Sequence, residues 1–333
     1  MKIILIFLSG IFNFITSIRN LLYDHQFISI HQSNIPIISI GNLELGGTGK
    51  TPLVIYLCHL LIKNNFKPGI ISRGYKRKST GRQLVSNGHS ILLNQSSAGD
   101  EPYFLAKSLN NVPIIVDKNR VNASSFISKN FDVNVIILDD AFQHRKINRT
   151  IDIVLLNINT PPNKLKLFPL GTLRENIKNV SRADILLITK KNTFTDQKNL
   201  DYYKNLYFHN KFFTQSNFLI INPITKKELQ TETLKNTFIF CGIGDPKYLK
   251  NILKSLKIDL ILFKTYADHH DYDKNTLNEL SYLIKKNNVD NIITTEKDYV
   301  KLPKSFCETL SIKIIKMSFL LNDDFDELVL KML

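Results

Sequence analysis

A glycine-rich turn at residues 46–51 carries the residue types that bind a nucleotide phosphate. The turn reads Gly46-Gly47-Thr48-Gly49-Lys50-Thr51 and lies between a β-branched run and an apolar helical pattern. In this order of strand, loop and helix, backbone N–H groups at the helix N-terminus surround phosphate oxygens. Lys50 would reach the β and γ phosphates, and the Thr51 hydroxyl would bind Mg²⁺. The turn predicts a nucleotide triphosphate as ligand.

One position departs from the strict phosphate-loop pattern. That pattern has a glycine five residues before Gly49, where this chain has Glu44. Gly46 and Gly47 supply the backbone freedom instead. The alternative interpretation is a plain strand-to-helix connection whose glycines serve only the turn.

Two adjacent carboxylates follow a second apolar strand. The run 133–138 ends in Asp139 and Asp140. An acid after an apolar strand is typical of the second half of a phosphate-loop site, where it orients Mg²⁺ or its water. Asp139 is the stronger candidate of the pair for the metal-related role.

Three further polar segments allow both a chemical and a structural interpretation. Asp100 precedes a helix and is either its N-cap or a base that accepts a proton from an attacking hydroxyl. Arg174 and Glu175 either contact phosphate and metal or form a solvated ion pair. His269 and His270 lie between aspartates, but adjacent histidines seldom bind one metal, so a histidine presented at a domain cleft is the better hypothesis.

Short apolar strands alternate with helical stretches through the first two hundred residues. Predicted strands are 37–40, 69–72, 112–116, 133–138, 151–157 and 185–189, and predicted helices are 50–63, 101–109 and 118–128. This alternation predicts an α/β fold, a doubly wound α/β/α domain built on a parallel sheet. Ligands of such sheets bind at the carboxyl ends of the strands, where the polar segments above are found.

A second, smaller α/β/α domain is predicted after a loosely patterned stretch near residues 192–222, with a linker near residues 210–225. There the alternation restarts, with strands at 237–241, 260–263, 291–294 and 312–317 and helices at 248–256 and 277–286. The predicted division is residues 23–212 for the phosphate-loop domain and 213–333 for the smaller domain, joined by a linker.

The first 22 residues predict an amphipathic helix in a membrane interface. Apolar residues form most of the helix surface, and a polar face comprises Lys2, Ser9, Asn13, Thr16, Ser17 and Asn20. The run has no small-residue cleavage site and is short and interrupted for a membrane span. A buried first helix, a cleaved signal and a true span are the alternatives.

Composition limits the classes of partner and the cellular compartment that are expected. The chain of 333 residues has a net charge of +15, but its lysines are scattered and do not form one basic face. Nucleic-acid binding is not expected, because no known nucleic-acid module is recognisable. The three cysteines lie far apart and indicate a reducing compartment without a disulfide framework.

The motifs together resemble the tetraacyldisaccharide 4'-kinases, the lipid A kinases of Gram-negative bacteria. They are GNLELGGTGKTP, SRGY, GDEP, LDDAFQHR, LREN, YADHH and TTEKD, in this order and extending to about Lys301. The resemblance implies that ATP phosphorylates the 4'-hydroxyl of a tetraacylated glucosamine disaccharide 1-phosphate. It also implies a peripheral location at the cytoplasmic face of the inner membrane.

The resemblance assigns roles to single residues. It implies that Asp100 is the base, that His269 assists it, and that Glu175 is a metal-associated carboxylate with Arg174 beside it. Lys50, Thr51, Asp139 and Asp140 match the phosphate loop and the acidic strand end. Thr172 stands where family members often carry proline, which predicts a less rigid loop.

Two other functions compete with the lipid kinase. A nucleotide-dependent switch for guanine would carry an aspartate after Thr189-Lys190-Lys191, and the chain has Asn192. A soluble sugar or nucleoside kinase would use the first helix as core.

Overall fold

The computed structural model describes residues 2–192 and 195–333 and has an α/β fold. The strands are β1 (Ile37–Asn42), β2 (Pro68–Ser72), β3 (Gln83–Asn87), β4 (Pro113–Val116), β5 (Val135–Asp139), β6 (Ile151–Asn157), β7 (Ile185–Lys191), β8 (Lys211–Ile221), β9 (Thr237–Cys241), β10 (Leu260–Thr265), β11 (Asn291–Thr295) and β12 (Lys313–Leu320). The helices are α1 (Lys2–Asp24), α2 (Lys50–Lys63), α3 (Gln95–Ala98), α4 (Asp100–Ser108), α5 (Arg120–Asn130), α6 (Gln197–Asn205), α7 (Pro246–Ser255), α8 (Lys274–Lys286), α9 (Glu296–Tyr299), α10 (Lys304–Thr309) and α11 (Asp323–Lys331).

The chain divides into two compact units. The first comprises residues 1–216 and 319–333, and the second comprises 217–318. The sequence boundary at 212/213 lies close to this division, but residues 319–333 belong to the first unit and not to the second. Helix α11 packs there because Phe325 is fully buried and the Tyr56 hydroxyl donates to Asp326 Oδ1 at 2.8 Å.

In the first unit the strands lie in the order β8-β7-β6-β1-β5-β2-β4-β3. Neighbours from β7 to β4 pair in parallel, which confirms the predicted doubly wound sheet. The edge strand β3 runs antiparallel to β4 and was not predicted. Strands β1 and β5 are buried along their whole length, as expected for central strands covered on both faces. The carboxyl ends of β1 and β5 therefore lie side by side.

The second unit has strands in the order β10-β9-β11-β12, paired in parallel. Strand β9 is fully buried, and its phenylalanines Phe238 and Phe240 form a core with α8 and α10. The alternation of strands and helices after residue 236 thus correctly predicted a second group of α/β elements.

The prediction of a linker near residues 210–225 is wrong, because most of this stretch forms strand β8. Its Lys, Phe, Gln and Asn residues give only a weak pattern along the sequence. Pairing with β7, in the register Leu187 with Phe212, provides the backbone hydrogen bonds that local sequence does not reveal.

Three polar residues of helix α1 lie against the protein, and most of its large apolar residues lie outside. Ser9, Thr16 and Asn20 are buried, whereas Ile3, Phe7 and Phe14 are 82%, 67% and 67% exposed. Residues Ile3–Asp24 have the length and hydropathy of a membrane span, and only 17% of an 18-residue window within them is buried. Met1 and the Lys2 side chain lie outside the described part. This inverted amphipathic arrangement contradicts the alternative of an ordinary buried first helix.

Candidate functional site

The phosphate loop connects β1 to α2, and α2 begins at Lys50 as predicted. Gly49 is the N-cap and adopts a left-handed conformation with φ 94°. A Cβ at Gly49 would meet Phe319 Cζ at 2.5 Å, so this position requires glycine for both conformation and space. At Gly46 and Gly47 a Cβ would meet nothing within 4 Å. The loop is therefore closely packed at Gly49 and open at its glycine pair.

The Lys50 ammonium group lies between an amide and a carboxylate at the ends of β1 and β5. Its Nζ is 3.4 Å from Asn42 Oδ1 and 3.4 Å from Asp140 Oδ1. Arg174 Nη1 donates to both carboxylate oxygens of Asp140 at 3.0 and 3.1 Å. Although burial raises the pKa of Asp140, these two cations lower it below its usual value. The two cations and one anion form a charged cluster beside the phosphate loop.

Asp139 lies deeper than Asp140, at the end of β5. It is 2% exposed and accepts a hydrogen bond from the Ser72 hydroxyl at 2.9 Å. Burial raises its pKa to about 7, with smaller contributions from the negative charges of Glu101 and Asp140. The buried carboxylate is thus placed to gain strongly from a nearby cation.

We expect Asp139→Asn to stabilise the nucleotide-free protein in a pH-dependent way. The folded-state pKa of Asp139 lies above that of an unfolded aspartate, so the folded wild type binds a proton more tightly and loses stability as pH rises towards 7. Asparagine does not ionise, so the variant's advantage should grow by on the order of 1–3 kcal/mol between about pH 4.5 and pH 8. Urea unfolding at both pH values measures this. If the free energy of unfolding depended on pH equally in wild type and variant, the raised pKa of Asp139 would be refuted. Asp132→Asn, at an exposed site, is the control.

Asp100 occupies the first turn of α4 and is not its N-cap. Gly99 is the N-cap, with φ 90°, so the structural alternative for Asp100 is wrong in this respect. Gln95 Nε2 donates to Asp100 Oδ1 at 2.8 Å, which fixes the orientation of the carboxylate. A partly exposed, oriented carboxylate at a helix N-terminus is suited to act as a base, and this role stays a prediction.

The segment 164–175 packs against the phosphate loop. Leu45 N donates to Thr172 O at 2.7 Å, and Arg174 N donates to Leu43 O at 2.6 Å. The Thr172 backbone N–H and hydroxyl both donate to Lys164 O at 3.1 Å. Thr172 therefore closes this loop with hydrogen bonds where a proline would restrict it through φ.

Glu175 is fully buried, so it does not form the solvated ion pair that was one alternative. Its Oε2 accepts hydrogen bonds from Asn20, Asn179 and Arg182, each at 2.9 Å. Its other oxygen, Oε1, is buried without a hydrogen-bond partner among the described residues. Glu175 thereby connects α1 to the segment that carries Arg174, and its metal role stays a prediction.

In the second unit the two adjacent histidines differ in their surroundings. His270 stacks on Tyr266 at a centroid distance of 4.5 Å, and its Nε2 is 3.1 Å from Thr276 Oγ1. His269 has a left-handed φ of 64°, and its backbone N–H donates to Gly242 O at 3.3 Å. The contacts of His270 are those of a structural residue. This favours His269 as the functional candidate.

Two residues near the site were missed from the sequence. The Asn42 amide contacts Lys50 as described above, and Arg120 is buried with its Nε unpartnered among the described residues. Burial, and to a smaller extent the positive charge of Arg73, lower the pKa of Arg120, and the nearby aspartates offset only part of this shift. Asn42 is the last residue of β1 and Arg120 follows β4, and a position at the carboxyl end of a parallel strand was the signal available in the sequence.

The oxygen donors at this edge suit a magnesium ion. Thr51 on the first turn of α2 is 3% exposed, and Asp139 and Asp140 supply carboxylates. Hydroxyl and carboxylate oxygens are the donors that Mg²⁺ prefers. Within residues 2–192 and 195–333, no group of three or more His, Cys, Asp and Glu side chains forms a metal cage. An ion here would share its coordination with nucleotide and water oxygens, as Mg²⁺ commonly does.

Comparisons with known proteins agree with one another. The family model described as tetraacyldisaccharide-1-P 4'-kinase matches residues 1–333. The tetraacyldisaccharide 4'-kinase of Desulfotalea psychrophila is 36% identical over 329 residues, covering 97% of this chain and 94% of the relative. That of Aquifex aeolicus is 34% identical over 299 residues, covering 88% of each. A crystal structure of Aquifex aeolicus LpxK in complex with ATP matches with a TM-score of 0.80 and 31% identity over 99% of both chains.

Proposed function

The chain belongs to the tetraacyldisaccharide-1-P 4'-kinase family, and from this premise we propose how its residues perform the reaction. The protein is an ATP-dependent kinase that phosphorylates the 4'-hydroxyl of a tetraacyldisaccharide 1-phosphate. The observation that carries the proposal is the cluster of Lys50, Asp140 and Arg174 beside an open phosphate loop.

Phosphoryl transfer needs positioning and charge neutralisation more than covalent chemistry by the protein. The backbone N–H groups of residues 46–51 and the Lys50 ammonium group bind the β and γ phosphates. Arg174, whose Nη1 lies 3.0 Å from Asp140 Oδ1, adds a second cation for the γ phosphate. A Mg²⁺ ion held by Thr51, Asp139 and Asp140 would neutralise phosphate charge when bound.

The acceptor is the 4'-hydroxyl of the lipid. Its oxygen forms a bond to the γ phosphorus while the bond from that phosphorus to the β–γ bridging oxygen breaks, and ADP leaves. The proton of the hydroxyl passes to the Asp100 carboxylate, which Gln95 holds in place. The assisting role of His269 is part of the same proposal and rests on the family resemblance.

We propose that the exposed apolar face of α1 enters the membrane interface. Large apolar side chains cover this face, and such a surface is rarely left to water on a monomeric protein. The buried polar face attaches α1 to the protein through Ser9, which donates to Leu167 O at 3.1 Å, and through Asn20. A helix attached in this way brings the site to a substrate whose acyl chains stay in the bilayer, at the cytoplasmic face where ATP is available.

We expect the double variant Phe7→Asp, Phe14→Asp to bind vesicles at least about a hundredfold more weakly than wild type, because each exposed phenylalanine contributes about 1.5–3 kcal/mol on full burial in apolar surroundings. Sedimentation with phosphatidylethanolamine–phosphatidylglycerol vesicles measures the partition. Tyr207→Asp is the matched control, since Tyr207 is 91% exposed and lies outside α1. Equal partition of the double variant and the control would exclude this face as the membrane contact.

The kinase proposal is tested with the purified protein, ATP, Mg²⁺ and tetraacyldisaccharide 1-phosphate in mixed detergent micelles. Transfer of labelled γ-phosphate to the lipid is the expected result. Binding of ATP without labelled lipid would reject this acceptor and favour a nucleotide switch.

A further inference from the structure

A glutamate occupies the phosphate loop at a position where the strict pattern has glycine. Glu44 is 2% exposed; the Asn157 backbone N–H donates to its Oε1 at 2.9 Å, and the Thr160 hydroxyl donates to its Oε2. Burial raises the pKa of Glu44, so the site has a cost for the charged carboxylate. An apolar side chain would avoid that cost but would leave the Asn157 N–H and the Thr160 hydroxyl without this acceptor. The two hydrogen bonds, and not packing, are therefore what the carboxylate contributes at this position.

The partners of Glu44 are half-buried residues attached to the core of the first unit. Asn157 is the last residue of β6, and Thr160 O accepts a hydrogen bond from the hydroxyl of the fully buried Tyr203 at 3.0 Å. A second contact secures the far end of the loop, where the Thr189 hydroxyl donates to Thr48 O at 2.8 Å. Strands β6 and β7 thus support the loop from two points.

A chain of hydrogen bonds leads from Glu44 to the catalytic lysine. Asn42 Nδ2 donates to Glu44 O at 2.7 Å and to Thr48 Oγ1 at 3.0 Å. Asn42 Oδ1 in turn accepts from Lys50 Nζ at 3.4 Å. The backbone of residues 43–45 is also bonded to segment 164–175, whereas Gly46 and Gly47 stay open. The loop is thus fixed on both sides of the Gly46–Gly47 pair, and the pair itself stays open to receive phosphate.

We propose that Glu44 is a positioning residue for the bound nucleotide: its buried carboxylate fixes the first half of the phosphate loop and, through Asn42, the ammonium group of Lys50. The inference rests on the proposed function, because it concerns the ATP site of that kinase. The contacts that matter are the two hydrogen bonds accepted by the carboxylate. Its negative charge is not required.

Calorimetric titration with ATP and Mg²⁺ tests the proposal without any lipid. We expect Glu44→Ala to raise the Kd for ATP about tenfold or more, because two half-buried donors lose their acceptor and the loop loses its support. Glu44→Gln should stay within about threefold of wild type, because a carbonyl oxygen still accepts from Asn157 and the Thr160 hydroxyl can accept from the amide. The KM for the lipid should be unchanged in both variants.

Two further variants separate positioning from general loss of stability. Thr160→Val keeps Glu44 but removes one donor, so it should raise the Kd for ATP in the same direction even if Glu44→Ala folds poorly. Asp152→Ala removes another buried carboxylate, which is paired with Arg149 at the start of β6, and should leave the Kd unchanged.

Three results would overturn the proposal: equal effects of Glu44→Ala and Asp152→Ala on the Kd, wild-type affinity in both Glu44→Ala and Thr160→Val, or a Glu44→Gln variant as weak as Glu44→Ala. A wild type that binds ATP but transfers no phosphate would instead refute the proposed kinase function. In that case calorimetry would still decide the role of Glu44.

Discussion

Replacing Asp100 by asparagine is expected to lower kcat for phosphoryl transfer to the lipid by at least about a hundredfold, the usual range for loss of a general base. Asparagine has the shape of aspartate, and its Oδ1 still accepts the hydrogen bond from Gln95 Nε2. It cannot take the proton of the 4'-hydroxyl. The Kd for ATP should stay near the wild-type value, because Asp100 is assigned to the acceptor and not to the nucleotide.

The measurement is the initial rate of labelled phosphate transfer at saturating ATP and lipid. Asp132→Asn is the control, since it removes an exposed carboxylate from the same unit. If Asp100→Asn retained more than about a tenth of the wild-type kcat, Asp100 would not be the base. A loss that appears only in KM would assign Asp100 to substrate binding.

Replacing Lys50 by alanine is expected to lower kcat/KM for ATP by about 10²–10³, because a positioned cation acts on phosphate charge in a site with little water. The change also leaves Asp140 with Arg174 as its remaining described salt-bridge partner. Lys50→Arg should recover only part of the loss, since guanidinium and ammonium groups differ in shape and reach.

Lys63→Ala is the matched control, because Lys63 lies at the exposed opposite end of the same helix. Steady-state kinetics with varied ATP give kcat/KM for each variant. Similar values for Lys50→Ala and Lys63→Ala would remove Lys50 from the nucleotide site.

Elements with strong local patterns were predicted well from the sequence. Helix α2 has the predicted bounds of Lys50 and Lys63, and strand β6 has those of Ile151 and Asn157. The glycine-rich turn before α2 and the continuous apolar run of β6 are local signals, because each is complete within a short stretch of sequence.

Features that depend on distant contacts were not predictable in this way. Strand β8 has a mixed composition and owes its conformation to pairing with β7. Helix α11 returns to the first unit through contacts such as that between Phe325 and Phe212, whose rings are 5.4 Å apart and far separated in sequence. A single predicted boundary along the sequence could not assign residues 319–333 back to the first unit.

In the candidate site, too, the features set by local sequence were predictable and those set by distant contacts were not. The motif around Lys50 identified the phosphate loop and its ligand class from residue types alone. It could not indicate that Glu44 would contact Asn157, the last residue of a neighbouring strand, and Thr160, which follows that strand. Nor could it indicate that Glu175 would bond to Asn20 of the first helix, because 155 residues separate them.

The position of the transferred phosphate tests the central claim most directly. After reaction of wild type with ATP, Mg²⁺ and tetraacyldisaccharide 1-phosphate, a two-dimensional phosphorus–proton NMR spectrum of the lipid identifies the phosphorylated oxygen. The account predicts a new phosphorus signal coupled to the proton at carbon 4', with the 1-phosphate retained. A phosphate on another hydroxyl, or ATP consumed with no new phosphorus on the lipid, would contradict it.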